Sequence, residues 1–308
     1  MIRSHKLESI ALGMAVMLGG APWGTASENH PQKPFAQFVD IPSKGQWVIT
    51  PWYVYTVFKD YWQGTDKIDI RRGDLEYDYA INDGMVLIEY GIFKDWALDL
   101  NVGYVSAATR AFDLNGNVEK TSGLMDFQFG IRCHALKDTP RSYLPDLTLR
   151  VGGLAQGTYD RDFPLAPGYG ETGIEPAIYT RKRLWALGTR YTGGVYGHGA
   201  YRHMISFAPD QVIASIGVFQ NIKRFSLGLG YRHHQALSGP DIAPLAYPEI
   251  HYSNRVREIN NQVEWGGSYT TPGGIRFQFY MWMNFDGRNT GDKLIYGLYA
   301  SFPIGGKD

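Results

Sequence analysis

The sequence predicts an all-β fold, a single closed antiparallel transmembrane β-barrel of about twelve strands with long loops at one end and short turns at the other. Three observations predict it. From Met125 to Ala135 the side chains alternate without a break, with Met125, Phe127, Phe129, Ile131, Cys133 and Ala135 opposing Asp126, Gln128, Gly130, Arg132 and His134. That two-residue period belongs to a strand. Comparable stretches recur along the 308 residues, each near the roughly 9 to 11 residues that carry a tilted strand across a bilayer. Finally, the connections alternate in length, as in a barrel that turns tightly on one side of a membrane and loosely on the other.

Composition agrees. The chain holds 30 Lys and Arg against 30 Asp and Glu, so no long-range field draws nucleic acid, and that partner class is set aside. Aromatics make up 14% of the residues, with 21 Tyr and 8 Trp, and there are 37 Gly. Rings concentrate at membrane interfaces, and small residues suit a crowded wall. The single cysteine, Cys133, allows no intrachain disulfide, offers no metal-site spacing and reads as a small apolar strand residue.

In chain order, Met1 to Ala26 reads as a signal peptide. It has a basic start at Arg3, His5 and Lys6, an apolar run from Ile10 to Gly20, and small residues at Gly24 and Ala26. No stretch of 18 apolar residues follows, so any spanning element is a strand. Ser27 to Gly45, polar and carrying Pro31, Pro34 and Pro42, is expected to be a short periplasmic lead-in, with the barrel over 46–308. The first strand is expected at 46–59, with Trp47, Trp52, Tyr53 and Tyr55 as candidates for an interfacial belt and Pro51 as a local interruption of the ladder. A long loop at 61–83 follows. Strands are then predicted at 85–93 and 96–105, joined at Lys94-Asp95, at 122–136, and at 147–159.

Next comes a strand at 169–180, a tight turn at Arg181, Lys182 and Arg183, and a strand at 184–196. A loop at 197–210 leads to strands at 211–221 and 224–234, then a proline-rich loop and a strand at 257–269. Thr271-Pro272-Gly273 turns the chain into strands at 275–284 and 293–304. Long connections fall at one end only, which a soluble sandwich has no reason to arrange. Hydrocarbon forces closure, because an open edge would strand unpaired backbone groups in lipid.

Four segments, GQWVITPWYVYT at 45–56, EYGIFKDWALDLNVGYVSA at 89–107, SGLMDFQFGIR at 122–132 and PGYGETGIEPAI at 167–178, resemble the outer-membrane barrels of the phenol-degradation meta-pathway (MetA-like) family. These barrels are distant relatives of the long-chain fatty-acid and toluene uptake channels. The resemblance implies passive uptake of hydrophobic or aromatic small molecules, with outer-membrane lipids as surroundings. The fatty-acid channels carry a sizeable N-terminal plug, and the lead-in here is too short for one of that size. Many such barrels also end on an aromatic residue, whereas Phe302 is followed by Pro303 and a GGKD tail.

Parity gives the inward-facing set: Glu89, Asp99, Asn101, Asp126, Gln128, Arg132, His134, Arg150, Glu175, Arg190, Arg232, Glu264, Arg276 and Gln278. With the turn centred on 181–183, Glu175 is expected opposite Arg190 as a cross-strand ion pair. The set either lines a solute path or simply pairs and fills a narrow barrel. Inner-face glycines at 103, 130, 217, 228 and 230 either keep a path open or let a tightly curved wall bend and large neighbours pack, and the second is the reading adopted.

One motif points elsewhere. His251-Tyr252-Ser253-Asn254 places His and Ser two apart, on one face if the segment is extended, as a His that activates a serine hydroxyl requires. It is similar to the HxSN element of outer-membrane phospholipase A and lipid A deacylases, and Asn260 or Glu258 would orient the imidazole. The competing readings are therefore a lipid hydrolase using His251 and Ser253, and a structural barrel without transport. The remaining histidines do not cluster; neither a metal nor a cofactor is predicted.

Overall fold

A computed structural model of the chain describes residues 37–58, 60–69, 79–109, 118–139, 143–163, 166–188, 191–205, 207–241 and 255–306. After a 3-10 turn at Gln37–Val39 come β1 (Trp47–Phe58), β2 (Asp60–Gln63), β3 (Asp66–Asp69), β4 (Tyr79–Phe93), β5 (Trp96–Thr109), β6 (Glu119–Leu124), β7 (Phe127–Leu136) and β8 (Asp146–Ala155). They are followed by β9 (Gly173–Leu187), β10 (Tyr191–Met204), β11 (Gln211–Ile222), β12 (Phe225–Ala236), β13 (Ile259–Thr270), β14 (Arg276–Arg288), β15 (Thr290–Gly291) and β16 (Leu294–Ile304). The barrel strands pair antiparallel throughout. β1 pairs with both β4 and β16, so first and last strands seal the cylinder. β6 and β7 share one position in the wall, both against β5, which makes a closed 12-strand barrel. β2, β3 and β15 form a small separate sheet at the long-loop end.

The alternation read from the sequence is the inside-outside rule of this wall. On β12 the even positions end in buried Arg232 and His234, while Leu227, Leu229 and Tyr231 are 53%, 54% and 40% exposed on the outside. Leu98, Leu100, Phe129, Ile131, Leu149, Val151, Ile174 and Ile178 continue that apolar exterior around the barrel. Each of two short turns puts one residue in left-handed backbone, Asp95 (φ 66°) and Lys223 (φ 57°).

Five expectations are corrected. Arg181 to Arg183 do not turn. β9 runs through them to Leu187, and its hairpin with β10 absorbs a bulge at Gly193/Gly194, where any side chain on Gly194 would collide with the Lys182 carbonyl. The three basic residues instead pair with carboxylates: Arg181 with Asp40 and Asp146, Lys182 and Arg183 with Asp138. Consequently 197–204 is strand and not loop, and Glu175 lies beside Arg202 and Arg150, while Arg190 is outside the described residues. The 122–136 strand is broken at Met125-Asp126, and Met125 is buried instead of sharing the outer face with Phe129. In the 61–83 region, a hairpin of β2 and β3 and an early start of β4 replace part of the expected loop.

Candidate functional site: a two-sided lumen

One side of the lumen is ionic. Arg132 reaches Glu89 at 2.6 Å and Asp99 at 3.3 Å; Arg150 reaches Asp99 at 2.7 Å and Glu175 at 3.1 Å; Arg202 reaches Glu175 at 2.5 Å. Acid and guanidinium thus alternate across β4, β7, β5, β8, β9 and β10, and all six side chains are buried. Each ion is compensated within the belt, the condition under which buried charge is tolerated. Gly130 and Gly152 make the room: a Cβ on either would lie under 3.0 Å from the Arg150 guanidinium. Arg202 is absent from the inward set that parity predicts because its segment reads as a loop, although Arg202 and Met204 keep the inward parity of β10.

The other side is mainly apolar, with Thr56 and Asp83 buried among the rings and aliphatic side chains. Trp52, Val54 and Phe58 on β1, Tyr79, Ile81 and Met85 on β4, Tyr280 and Trp282 on β14, and Ile295 and Tyr299 on β16 form one buried cluster inside the barrel. Trp52 donates its indole N–H to the Tyr280 hydroxyl at 3.1 Å, and its ring lies 5.3 Å from that of Tyr299. Trp52 therefore belongs to the lumen, not to the interfacial belt expected for it; Trp47 and Tyr53 do face outward. Tyr280 fits because Gly297 across the ladder has no Cβ, which would fall 2.0 Å from the ring. Gly217 and Gly230 likewise receive Tyr196, whose hydroxyl donates to Glu264 at 2.6 Å. The packing role expected of inner glycines holds at these positions.

The lead-in enters the lumen at its short-turn end. Phe38 and Val39 are 3% and 0% exposed. Arg132 donates to the Phe38 carbonyl at 3.3 Å, Thr148 donates to the Val39 carbonyl at 3.0 Å, and Arg181 grips Asp40 at 2.7 Å and 3.2 Å. The approach is close: the chain at Pro42-Ser43 crosses Gly91, where a Cβ would meet the Ser43 carbonyl oxygen at 2.0 Å. Among the described residues, Phe38, Val39 and Asp40 suffice to reach inside.

At the long-loop end, the break at Asp126 has a purpose. Its carboxylate accepts from Gly157 N (2.9 Å), Tyr159 Oη (3.0 Å), Tyr169 N (3.2 Å) and Gly170 N (3.2 Å), pinning both ends of the connection between β8 and β9. Beyond it, Glu258 accepts from Asn260 (2.9 Å), Thr290 (2.7 Å) and Lys293 (3.0 Å). Burial pushes the Glu258 carboxyl up, but Lys293, His234 and the bonds from Asn260 and Thr290 outweigh it and hold the group down at about 2.

Of the fourteen residues predicted to face inward, Glu89, Asp99, Asn101, Asp126, Gln128, Arg132, Arg150, Glu175, Arg232, Glu264 and Gln278 are buried in the barrel. His134 is partly buried beside Asp146, at 3.3 Å, and Arg276 lies at the mouth, 4.0 Å from Asp40. Arg232 stacks on Trp282, with its guanidinium carbon 4.6 Å from the ring centre. His251 and Ser253 lie outside the described residues, while Glu258 and Asn260, expected to orient the imidazole, are engaged in the rim network. No group of three or more potential metal ligands occurs among the described residues.

No protein family is matched by the chain, and no curated protein is similar to it. Among solved structures it is similar to the COG4313 outer membrane channel from Pseudomonas putida F1, with a TM-score of 0.62 at 12% identity, covering 86% of this chain and 98% of that one. It also aligns with the P. putida toluene transporter TodX at a TM-score of 0.38 and 8% identity, covering 93% of this chain and 96% of that one. The first likeness establishes a shared fold: a multi-pass β-barrel of the outer-membrane kind.

Proposed function

We propose that the chain is a passive outer-membrane channel for small hydrophobic or aromatic molecules. The observation that carries this reading is the two-sided lumen. An ionic belt fills one arc, and a buried aromatic and aliphatic track, from Phe58 and Tyr79 through Trp282 and Tyr280 to Trp52 and Met85, occupies the other. A barrel that only needed to be filled could do so with paired charges; rings stacked along the wall offer an apolar solute contacts it cannot find in water. Of the inward residues predicted from the sequence, the belt members act as a fixed wall, and Arg232 and Gln278 border the track. The resemblance to the phenol-degradation meta-pathway barrels supports the same solute class.

The test is uptake of labelled naphthalene by Gram-negative cells, whose lipopolysaccharide leaflet slows apolar permeation. Cells carrying the barrel should take it up several-fold faster than cells without it, and Met85→Glu, which adds a second carboxylate to the track beside Asp83, should abolish the gain. Equal rates with and without the barrel overturn the reading. The second reading, a structural barrel, is favoured by the tight packing around Phe38, and that outcome would leave it standing.

A further inference from the structure

We propose that the socket now filled by the Phe38 ring is a binding site for a neutral aromatic ring, and that Phe38 is its built-in occupant. The inference deepens the channel reading by giving the solute a specific station; the socket itself stands on geometry alone.

The Phe38 ring is held by two different kinds of contact. The Arg132 guanidinium carbon lies 4.6 Å from the ring centre, within reach of the electron-rich face. Tyr179 meets the ring edge-on, with centroids 5.4 Å apart at 61°. Both recognise a π system and not merely apolar bulk. Leu87 and Ala177 complete the same buried cluster.

Apart from the Arg132 bond to the Phe38 carbonyl, these walls are held by other barrel side chains and not by the Phe38 ring. Arg132 is fixed by Glu89 at 2.6 Å and Asp99 at 3.3 Å, and Tyr179 stacks on His198 at 4.7 Å and 22°. All of them sit on strands of the closed barrel, whereas the occupant sits on the lead-in, which is joined to the lumen by the Arg132 and Thr148 bonds to its carbonyls and the Arg181 clasp on Asp40. Withdrawal of Phe38 therefore leaves a preformed, ring-shaped socket. A small void adjoins it, lined by Phe38, Leu87, Asn101, Gln128 and Tyr179 together with the paired belt charges Asp99, Arg150 and Glu175.

Charge decides which ring fits. The guanidinium over the site belongs to a belt in which Arg132, Arg150 and Arg202 balance Glu89, Asp99 and Glu175, so an anionic ring such as benzoate would add a buried negative charge to a site already balanced. A neutral ring meets no such penalty. Segment and solute cannot occupy the socket together, so an arriving aromatic competes with Phe38 and, on winning, frees the mouth that the lead-in closes.

The experiment is titration of the detergent-solubilised, folded barrel with fluorobenzene, followed by 19F NMR, with folding verified by heat-modifiable migration. Phe38→Ala should bind saturably and about tenfold tighter than the parent, because the parent must first expel its own ring. Adding Tyr179→Leu to Phe38→Ala should remove most of the gain, and neither cyclohexane nor benzoate should displace the probe efficiently. Folded Phe38→Ala that binds no tighter than the parent overturns the proposal, as does displacement by cyclohexane as effective as by benzene. If Phe38→Ala fails to fold, Phe38→Leu decides: it keeps apolar bulk but loses the ring, and it must still bind tighter than the parent. Binding needs no transport, so absent uptake with intact binding would sink the channel reading alone, and uptake without Phe38-dependent binding would sink the socket alone.

Discussion

Replacing Arg150 by Met tests the ionic belt. Arg150 donates from Nε and Nη2 to Asp99 and from Nη1 to Glu175, and it is buried between Gly130 and Gly152. Removing one member of a buried ion network costs about 3–5 kcal/mol, mostly by leaving its partners uncompensated. Here both carboxylates keep a second guanidinium, Asp99 with Arg132 at 3.3 Å and Glu175 with Arg202 at 2.5 Å, so the loss should fall near the lower end, about 3 kcal/mol. The belt then predicts a reversal. In Asp99→Leu/Arg150→Met the remaining charges pair one to one, Glu89 with Arg132 and Glu175 with Arg202, so the double variant should be more stable than Arg150→Met by about 1–2 kcal/mol. Urea unfolding of the barrel in liposomes, read by tryptophan fluorescence, measures both. A single variant within about 1 kcal/mol of the parent, or a double variant weaker than the single, refutes the alternating-charge account.

Asp126→Ala should free four donors of the connection between β8 and β9 at once, costing about 3 kcal/mol locally and exposing that loop to an added protease; a cleavage rate equal to the parent's would show the loop is held otherwise. Glu258 gives a pH dependence. Its folded-state carboxyl is depressed to about 2 from an ordinary 4.5, so its contribution, at most about 3 kcal/mol, is complete above pH 4.5 and disappears as pH falls toward 2. Thermal unfolding of the parent minus that of Glu258→Gln should shrink over that window, and a pH-independent difference contradicts it. Gly91→Ala should push the lead-in, through its Ser43 carbonyl, away from β4, raising single-channel conductance while leaving barrel unfolding within about 1 kcal/mol; unchanged conductance would mean the lead-in is not seated there.

The barrel is legible in the sequence because lipid outside and polar groups inside impose a two-residue period, and β5, β11, β12, β13 and β14 keep that period for most of their length. Where backbone irregularity intervenes, legibility fails. The Gly193/Gly194 bulge moves a hairpin tip past three basic residues that resemble a turn, and Asp126 leaves the ladder to serve a distant loop. Parity gives the belt acids and Arg132 and Arg150, since charge on one face of an alternating strand has only the lumen to occupy. It does not say which charge meets which, because that depends on register between strands. The aromatic track is hidden for a related reason: Trp52 and Tyr299 carry the composition of an interfacial belt, and only the pairing of β1 with β16 shows that they point inward. Phe38 has no periodic signal at all, being one apolar residue in a proline-rich lead-in.

The most direct test is a nitroxide scan from Ser226 to Arg232, in a Cys133→Ser background and reconstituted bilayers, comparing collision with oxygen and with a water-soluble nickel chelate. Labels at Leu227, Leu229 and Tyr231, which face outward, should collide with oxygen far more than labels at Ser226, Gly228 and Arg232, in alternation. Equal oxygen accessibility at odd and even positions would contradict a wall with lipid on one side and a packed lumen on the other.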